Sequence, residues 1–413
     1  MVNEILTKFL YIVDSFPPGG MQAGIRSLEI SRRLINKKIS PIILTRSFDK
    51  EKNLNTDYIF KIPSSLKIYR TLFFEFKNRY LLKIMDQFLR IDDYLGWIPI
   101  AYFKAKEIFK KYKNIKFIYT SGPPFYTHIL GYYLKKKYKI PLVIEYRDPW
   151  SLNPYESKNH CWLNQKINLI LEKKIQKHSD LIITVSKKLS SFLLTKFPYI
   201  KKNSIHSIAN GLEIQTSHYV KDKDNHKIVL TYTGSLYSKR SVIPLLKIVS
   251  ILKKEGFFKN LEFCIKIFGN YNKKLLNEVS YKLDVQNLIF LGDIIQHSKA
   301  IKEISESDLP LHIGENLDYP TIAFKVWDYL SCRKKILYLG REDSYTARFL
   351  KKNGLGIVIP IENLQKGKER LKKVILNLIN GEFTSNIDLM KLKQYSWDNK
   401  AEEFIQNVIK NIS

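Results

Sequence analysis

Residues 117–150 read FIYTSGPPFYTHILGYYLKKKYKIPLVIEYRDPW. Phe117–Tyr119 is a short apolar run of β-branched and aromatic residues, the pattern of a buried strand. Ser121-Gly122-Pro123-Pro124 is a hard chain break. From His128 to Tyr138, apolar residues at Ile129, Leu130, Tyr133 and Leu134 recur at helical spacing. Pro141 ends the following loop, and Leu142–Ile144 reads as a second strand. Strand, helix and strand make one βαβ unit, and such units build parallel sheets. Ligands of parallel sheets bind beyond the carboxyl ends of the strands. Two polar clusters fall there: Ser121 to His128 after the first strand, and Glu145-Tyr146-Arg147-Asp148 after the second. They gather a histidine, an arginine and two carboxylates around one crevice, and His128, Arg147 and Asp148 become candidate catalytic residues. The plainer reading makes His128 a helix-start residue and Arg147-Asp148 an ordinary ion pair.

Length and composition bound the rest. At 413 residues the chain is long enough for two or three domains of about 150 residues. Its hydrophobic content of 45% supplies real cores and excludes a disordered chain. No apolar run approaches the ~20 residues of a membrane span. The opening MVNEILTKFLYIVD carries charges inside its apolar run, so it reads as a first strand rather than a signal peptide. Cys161, Cys264 and Cys332 lack metal-ligand spacing, and so few cysteines suit a reducing, cytoplasmic setting. Lys and Arg number 69 against 39 Asp and Glu, a net charge of +30. Such an excess points to an anionic substrate, an anionic lipid surface or nucleic acid, although a general lysine bias accounts for part of it.

The chain opens βαβ. Phe9–Val13 is a strand, Asp14 to Met21 (DSFPPGGM) a loop, and a helix starts near Ala23 with Ile25, Leu28, Ile30, Leu34 and Ile35 on its apolar face. Gly19 and Gly20 permit close backbone approach to a ligand at a helix N-terminus, a position suited to anions. Pro41–Thr45 is the second strand. Residues 61–113 interrupt the rhythm with twelve basic and five acidic residues, a local charge of +7. Within them Tyr69, Leu72, Phe73, Phe76 and Tyr80 recur at helical spacing, and a basic helix with an aromatic face can lie on an anionic bilayer. A core-facing helix with a solvated basic back is the other reading. Beyond the central unit come a helix over 167–177, a strand at 181–185, a helix to Phe197, and Ile205–Ala209 leading into Asn210-Gly211. Residues 213–226 are polar and aperiodic, as a linker is. The alternation then restarts, with strands at 228–233, 261–268, 288–291, 309–313 and 336–339 separated by helical segments. The predicted fold class is α/β, with two Rossmann-like doubly wound domains facing across a cleft.

With these segments in order, the chain resembles the GT-B glycosyltransferases, specifically the GT4-like group of bacterial sugar transferases. SFPPGGMQAGIRSLEISRRL resembles that group's glycine loop and first helix. GWIPIAYFKAKEIFK, YTSGPPFYTHILG and EYRDPW resemble a subgroup associated with cell-surface polysaccharide assembly. ITVSKKL, SIANGLE and YTGSLYSKR follow in the group's order. AFKVWDYLSCRKKILYLG resembles its donor-binding segment, and YSWDNKAEEF its closing helix.

The resemblance implies an acceptor-binding domain over 1–212, a linker at 213–226, a nucleotide-sugar-binding domain over 227–385, and a helical 386–413 crossing back. It implies a nucleotide-diphosphate sugar as co-substrate, a glycan or lipid-linked acceptor, no cofactor and no metal. Basic residues and helix N-termini would neutralise the leaving diphosphate instead. By the same correspondence Arg240 contacts the diphosphate, Lys325 holds phosphate at a helix start, and Asp328 accepts from the nucleotide ribose. His128 contacts the donor sugar, and Gly19 and Gly20 line the diphosphate loop. Gly234 and Ser235 form the turn after the first strand of the second domain, where Ser235 replaces a frequent arginine and Lys239 can supply the second charge. Pro320 stands where many relatives carry a glutamate eight positions before Asp328, and neither Glu315 nor Asp318 is in register. The retaining members set the expected mechanism, in which His128 orients the sugar and no protein nucleophile is used. Asp148 or Glu145 acting as a base would suit an inverting reaction. The expected location is cytoplasmic, with docking to the inner face of the cell membrane through 61–113. A nucleotide-sugar epimerase on the same fold and a non-catalytic basic binding protein with a degenerate transferase site are the alternatives. No nucleic-acid partner is expected, because no nucleic-acid-binding motif appears.

Overall fold

The computed structural model describes residues 7–19, 23–47, 56–72, 96–154, 162–214, 227–236, 240–314 and 317–412. The chain divides into two compact units, residues 1–211 with 397–413, and residues 212–396.

In the N-terminal unit seven strands form one sheet: β1 (Thr7–Ile12), β2 (Ile39–Arg46), β3 (Lys67–Thr71), β4 (Ile115–Gly122), β5 (Leu142–Tyr146), β6 (Leu181–Thr184) and β7 (Ile205–Ser207). Their order is β3-β2-β1-β4-β5-β6-β7, and every pair is parallel. Among the described residues five helices connect them: α1 (Ala23–Asn36), α2 (Trp97–Lys111), α3 (Tyr126–Tyr138), α4 (Trp162–His178) and α5 (Lys187–Lys196). The strand order reverses between β1 and β4, so the crevice for a ligand lies at the carboxyl ends of these two strands.

The central strands are apolar on both faces because helices cover both. Leu10, Ile12 and Ile118 pack into one core with Trp97, Ala101 and Leu130. On the alternate residues, Phe9 lies opposite Phe117 and Tyr11 opposite Tyr119 in the β1–β4 register. Phe9 and Phe117 stack with ring centres 4.7 Å apart, and Tyr11 meets Tyr119 edge-on at 4.9 Å. The terminal helix Trp397–Phe404 closes this face, with Phe404 lying 5.8 Å from the Phe9 ring and 5.1 Å from Tyr119. Arg33 Nε of α1 donates to Asp398 Oδ1 at 2.8 Å, and Lys37 pairs with Glu402.

The C-terminal unit repeats the plan with β8 (Lys227–Thr233), β9 (Glu262–Phe268), β10 (Ile289–Gly292), β11 (Leu309–Ile313), β12 (Ile336–Gly340) and β13 (Gly356–Pro360). Their order is β10-β9-β8-β11-β12-β13, again all parallel, with the switch between β8 and β11. Its longer helices among the described residues are α6 (Ile243–Lys254), α7 (Lys273–Lys282), α8 (His297–Glu306), α9 (Phe324–Ser331), α10 (Tyr345–Lys352) and α11 (Leu364–Ile379).

Three expectations change. Tyr69 lies in β3, an edge strand paired with β2, and not on a helix. The helical spacing from Tyr69 to Tyr80 is therefore not one helix, and its remainder, from Phe73, lies in 73–95, outside the described residues. The break expected at Ser121-Gly122 comes later, because both residues pair with β5, Ser121 opposite Glu145 and Gly122 opposite Tyr146. The return to the N-terminal unit begins at Trp397 rather than at 386. Residues 386–387 stay in the C-terminal unit, where Asn386 bridges Lys334 and the Ile387 N–H donates to Arg333 O at 2.7 Å.

One buried ion pair ties the N-terminal unit together. Arg26 of α1 and Glu145 of β5 are 1% and 0% exposed, with Nη2 to Oε1 at 2.8 Å. Arg26 also donates to Ile208 O, Ala209 O and Asn210 Oδ1 at 2.9, 2.9 and 3.2 Å, fixing the chain after β7. Breaking a buried pair from one side strands the other charge. Arg26→Met should therefore cost about 3–5 kcal/mol, and Arg26→Met/Glu145→Met should recover most of it. Urea-unfolding midpoints of the three proteins check this.

Candidate active site

At the first switch point the loop after β1 is built from the strand ends upward. Asp14 is buried and accepts from Arg46 Nε at 3.0 Å and from the Tyr126 hydroxyl. Arg70 Nη1 donates to Phe16 O at 3.2 Å, and Nη2 donates to Pro17 O. The Gly19 N–H closes the turn onto Phe16 O at 3.2 Å. Two arginines at the carboxyl ends of β2 and β3 thus hold the glycine loop in place. Neither Arg46 nor Arg70 was singled out from the sequence as a loop anchor. Their signal was available, since each is a charged residue closing an apolar strand. Gly20 lies outside the described residues.

His128 sits on the first turn of α3 with no exposed surface. Its Nδ1 shares a 2.7 Å hydrogen bond with Thr120 Oγ1. Its Nε2 is buried and has no hydrogen-bond partner among the described residues. Phe125, Tyr146 and Trp150 surround the ring at 5.5, 5.5 and 6.2 Å. A Cβ on residue 122 would come 3.1 Å from Nε2 and 2.6 Å from the Phe125 ring, so only glycine fits beside the imidazole. Burial lowers the His128 pKa to about 3; the Glu145 charge opposes the shift and Arg147 adds to it. The imidazole is neutral at physiological pH, available as a hydrogen-bond partner and not as a cation.

The two carboxylates named from the sequence part company. Glu145 accepts from Arg26 Nε at 3.0 Å and Tyr119 OH at 2.8 Å through Oε1, and from Ser121 Oγ at 2.6 Å through Oε2. Burial alone would raise its pKa, but the Arg26 charge and the hydrogen bonds from Arg26, Ser121 and Tyr119 hold it below the usual carboxylate range. With both oxygens engaged and no exposure, Glu145 is a structural anion, and the base role considered for it is withdrawn. Asp148 is half-buried just beyond β5. Arg147, also half-buried, ties the ends of β4 and β5: its N–H donates to Gly122 O at 2.8 Å and Nη2 donates to Pro123 O. Arg147 thus engages main chain beside His128 while its Nε stays buried without a hydrogen-bond partner among the described residues.

Glu172 of α4 was not anticipated. It accepts from Ser151 N at 3.0 Å and from the Ser151 hydroxyl, anchoring the segment that carries Arg147, Asp148 and Trp150. Burial raises its pKa to about 7, against the lowering effect of the Ser151 hydrogen bonds. Nothing in the local sequence marks it, because its environment is made by a distant loop.

At the second switch point the main chain turns at Gly234, whose φ is +128°. A Cβ there would lie 2.4 Å from Lys325 Nζ. Glycine is demanded twice, by the backbone conformation and by the ammonium group pressed against it. Lys325, on the first turn of α9, is 8% exposed; its Nζ donates to Tyr232 OH at 2.9 Å and stands 4.4 Å from that ring's centre. Tyr232 OH in turn donates to Ser235 O at 2.9 Å, so the lysine and the Gly234-Ser235 turn are one assembly. Buried His312 near the end of β11 has its pKa pushed well down, first by burial and then by the charges of Lys325 and Arg240. Lys325, which lies against Gly234, and Arg240 thus both act on a neutral His312. The α9 N-terminus has no side-chain cap, and uncapped first-turn amides are anion donors.

Asp328 lies one turn further along α9, half-buried, with Oδ1 3.3 Å from His297 Nε2. Asp318 is engaged elsewhere, accepting from Tyr345 N at 2.7 Å at the start of α10. Lys239 and Glu315 lie outside the described residues. His312 and His297 were not expected. His312 was findable as a polar residue inside an apolar strand, whereas His297 was not, since only the packing of α8 brings it to α9.

Two parallel doubly wound units, each with its polar residues at the switch point, define the GT-B architecture. Residues 19–216 match the model of Glycosyltransferase Family 4, and solved GT-B glycosyltransferases share the fold of the chain. Sucrose-phosphate synthase from Thermosynechococcus elongatus superposes with a TM-score of 0.68 at 11% identity, over 97% of this chain and 98% of that one. The lipopolysaccharide outer core galactosyltransferase WaaB in its apo form gives 0.64 at 11%, over 98% and 99%. UDP-GlcNAc 2-epimerase from Neisseria meningitidis bound to UDP-GlcNAc gives 0.59 at 14%, over 98% and 100%. At these identities the likeness is one of fold. No curated protein matches the sequence.

The pKa shift of His128 carries a sign. Between its ordinary 6.5 and about 3, the unfolded chain binds a proton that the folded protein refuses. Stability therefore falls as pH drops through that window. Glu172 acts oppositely, since its raised pKa removes stability as pH rises from the ordinary 4.5 towards 7. His128→Gln should flatten the acid-side loss, and melting temperatures of parent and variant measured from pH 6.5 downward check this.

Proposed function

We propose that this chain transfers a sugar from a nucleotide-diphosphate sugar to a glycan or lipid-linked acceptor in cell-surface polysaccharide assembly. The observation that carries the reading is the cationic turn at the second switch point, where buried Lys325 is pressed against Gly234 on the uncapped first turn of α9 and the charges of Lys325 and Arg240 both act on His312. Such a site suits a diphosphate, because fixed cations and backbone amides stabilise the charge that develops on the leaving group. The C-terminal unit binds the donor: Lys325, Arg240 and the Gly234-Ser235 turn hold the diphosphate, with Lys239 contributing a further cation, and Asp328 accepts from the ribose hydroxyls. The N-terminal unit takes the acceptor.

The reaction proceeds with retention and without a metal. The bond from the anomeric carbon to the diphosphate oxygen breaks, and the acceptor oxygen bonds to the same face while a phosphate oxygen takes its proton. Neutral His128 orients the sugar through Nε2, and Gly19, Gly20, Arg147 and Asp148 shape the surroundings of the reacting group. With Glu145 locked by Arg26, Asp148 is left as the carboxylate near this crevice for an inverting alternative.

Docking on an anionic membrane surface belongs to the same reading. No helix among the described residues is long and apolar enough to cross a membrane. Exposed Phe60, Leu72 and Phe103 are interspersed with Lys61, Lys67, Lys104 and Lys106, and Lys106 Nζ stands 5.5 Å from the Phe103 ring. Apolar rings among lysines are the chemistry of an interfacial anchor. Phe103→Ser with Lys106→Glu should weaken flotation with phosphatidylglycerol vesicles about tenfold while leaving the melting temperature unchanged.

Thermal stabilisation by UDP-, GDP-, ADP- and dTDP-sugars tests the donor assignment through linkage. One nucleotide-sugar should raise the melting temperature of the parent, and Arg240→Ala and Asp328→Ala should each lose the shift. No response to any of them overturns the reading. Binding without transfer, but with conversion of the sugar itself, would instead point to the epimerase alternative.

A further inference from the structure

Helix α4 turns a polar ladder towards the interior. Asn164, Asn168, Glu172 and Gln176 follow one another at intervals of four, which puts them on one side of the helix. Asn164, Glu172 and Gln176 are buried, and Asn168 is half-buried. Three of these rungs catch the segment that closes and leaves β5. Gln176 Nε2 donates to Tyr146 OH at 3.0 Å, Ser151 N donates to Glu172 Oε2 at 3.0 Å, and Trp150 Nε1 donates to Asn168 Oδ1 at 3.1 Å. The rungs also brace one another: Gln176 Nε2 donates to Glu172 Oε1 at 3.2 Å, and Asn168 Nδ2 to Asn164 Oδ1 at 2.7 Å.

What the ladder holds is the wall of the His128 crevice. Trp150 stacks on Phe125 with ring centres 4.9 Å apart, and Tyr146 lies 5.8 Å from the same ring. These three rings surround the imidazole, with Tyr146 at 5.5 Å and Trp150 at 6.2 Å from it. Arg147 and Asp148 lie in the chain between the two residues that are held. An apolar stripe would cover this side of α4 without a desolvation penalty. Glu172 stands out, because among the described residues it has no salt bridge, whereas Glu145 has Arg26. A satisfied polar network fixes one arrangement where apolar contacts tolerate several. The arrangement fixed here is that of Tyr146, Trp150 and the residues between them.

We propose that Glu172 is a positioning residue for sugar transfer: at the middle of the ladder it sets where Tyr146, Asp148 and Trp150 stand against His128, and through them where the reacting sugar is held. The inference rests on the transferase reading of the His128 crevice given above. Protonation supplies a signature. Released from Ser151, Glu172 meets water and titrates at its ordinary 4.5; in place it is raised to about 7 by burial, against the hydrogen bonds from Ser151 and Tyr146. A proton therefore favours the anchored arrangement, which loosens as pH rises from 4.5 through 7. The titratable groups facing Glu172 are Tyr146 of β5 and Tyr199 beyond α5. Burial first, and the Glu172 charge next, push both upward, so they stay neutral across this range. Lys166, Lys173, Lys174 and Lys177 of α4 are exposed.

Fluorine resonances of the full chain labelled with 5-fluorotryptophan give the first readout, with Trp150 assigned through Trp150→Phe. In the parent the Trp150 resonance should titrate with a midpoint of about 7. Glu172→Gln keeps an acceptor oxygen for Ser151 and mimics the neutral acid, so it should hold the resonance at the parent's low-pH position throughout. Glu172→Ala should displace it at every pH, and Asn168→Ala, which removes only the Trp150 rung, should displace it too. The second readout is slow cleavage of the stabilising nucleotide-sugar by water. In it the bond from the anomeric carbon to the diphosphate oxygen breaks, the water oxygen bonds to that carbon, and the water proton passes to solvent. Glu172→Ala should lower kcat at least about tenfold and leave KM for the donor within about twofold, since the diphosphate is assigned to the other unit. Glu172→Gln should restore kcat and remove the fall that accompanies ionisation. A Trp150 resonance indifferent to pH or to Glu172→Ala, a loss carried by KM alone, or full activity in Glu172→Ala overturns the proposal. A parent that binds and cleaves no nucleotide-sugar is instead the failure of the transferase reading, and the Trp150 resonance then decides the positioning by itself.

Discussion

A guanidinium and a carboxylate without access to water sit at the centre of the N-terminal unit, and much of that unit takes its position from them. Glu145 faces the same side of the sheet as Ser121 and Tyr119, and all three converge with Arg26 of α1. Arg26 then reaches the backbone of 208–210. An ion pair removed from water is tolerable when its N–H groups and oxygens find partners, and here Arg26 donates from Nε, Nη1 and Nη2 and both Glu145 oxygens accept. The consequence is a fixed spacing between α1, β4, β5 and the chain leaving β7, and hence a fixed frame for the loop that carries Arg147 and Asp148.

Around that frame the polar groups separate into two kinds. Asp14, Glu145 and Glu172 are spent on holding main chain: the glycine loop, the Ile208–Asn210 exit and the Ser151 turn respectively. Among the described residues, His128 Nε2 and Arg147 Nε are left without a hydrogen-bond partner at the switch point. A neutral imidazole with one nitrogen satisfied and the other unpaired is a prepared hydrogen-bonding group, and its cost is borne by the packing of Phe125, Tyr146 and Trp150. The C-terminal unit solves a different problem with the same topology. There a lysine is buried against a tyrosine ring and a glycine turn, and the repulsion among Lys325, Arg240 and a protonated His312 is avoided because burial keeps His312 neutral.

Much of this was legible from residue order. The alternation of apolar strands with helical segments points to parallel sheets, and the central βαβ unit names the strand ends where His128 and Arg147 lie. Where the reading failed, the reason was tertiary. Tyr69 to Tyr80 has helical spacing, yet Lys67–Thr71 pairs with β2, because an exposed edge of a parallel sheet captures a β-capable segment regardless of its periodicity. β13 and α11 went unread, since GIVIP is too short to distinguish from a loop and its pairing partner β12 lies twenty residues away along the chain.

The sequence by itself determined the fold class and the side of each sheet on which chemistry can occur, because period and turn residues are local properties of the chain. It could not decide the fate of the carboxylates. Glu145 and Asp148 stand three positions apart in one motif, and only the arrival of Arg26 from more than a hundred residues away made one of them a sealed structural anion. The pairing of Asp328 with His297 and the neutrality of His312 are likewise products of packing. Burial and partnership set the charge state of a side chain, and both are made by residues that the chain brings together only on folding.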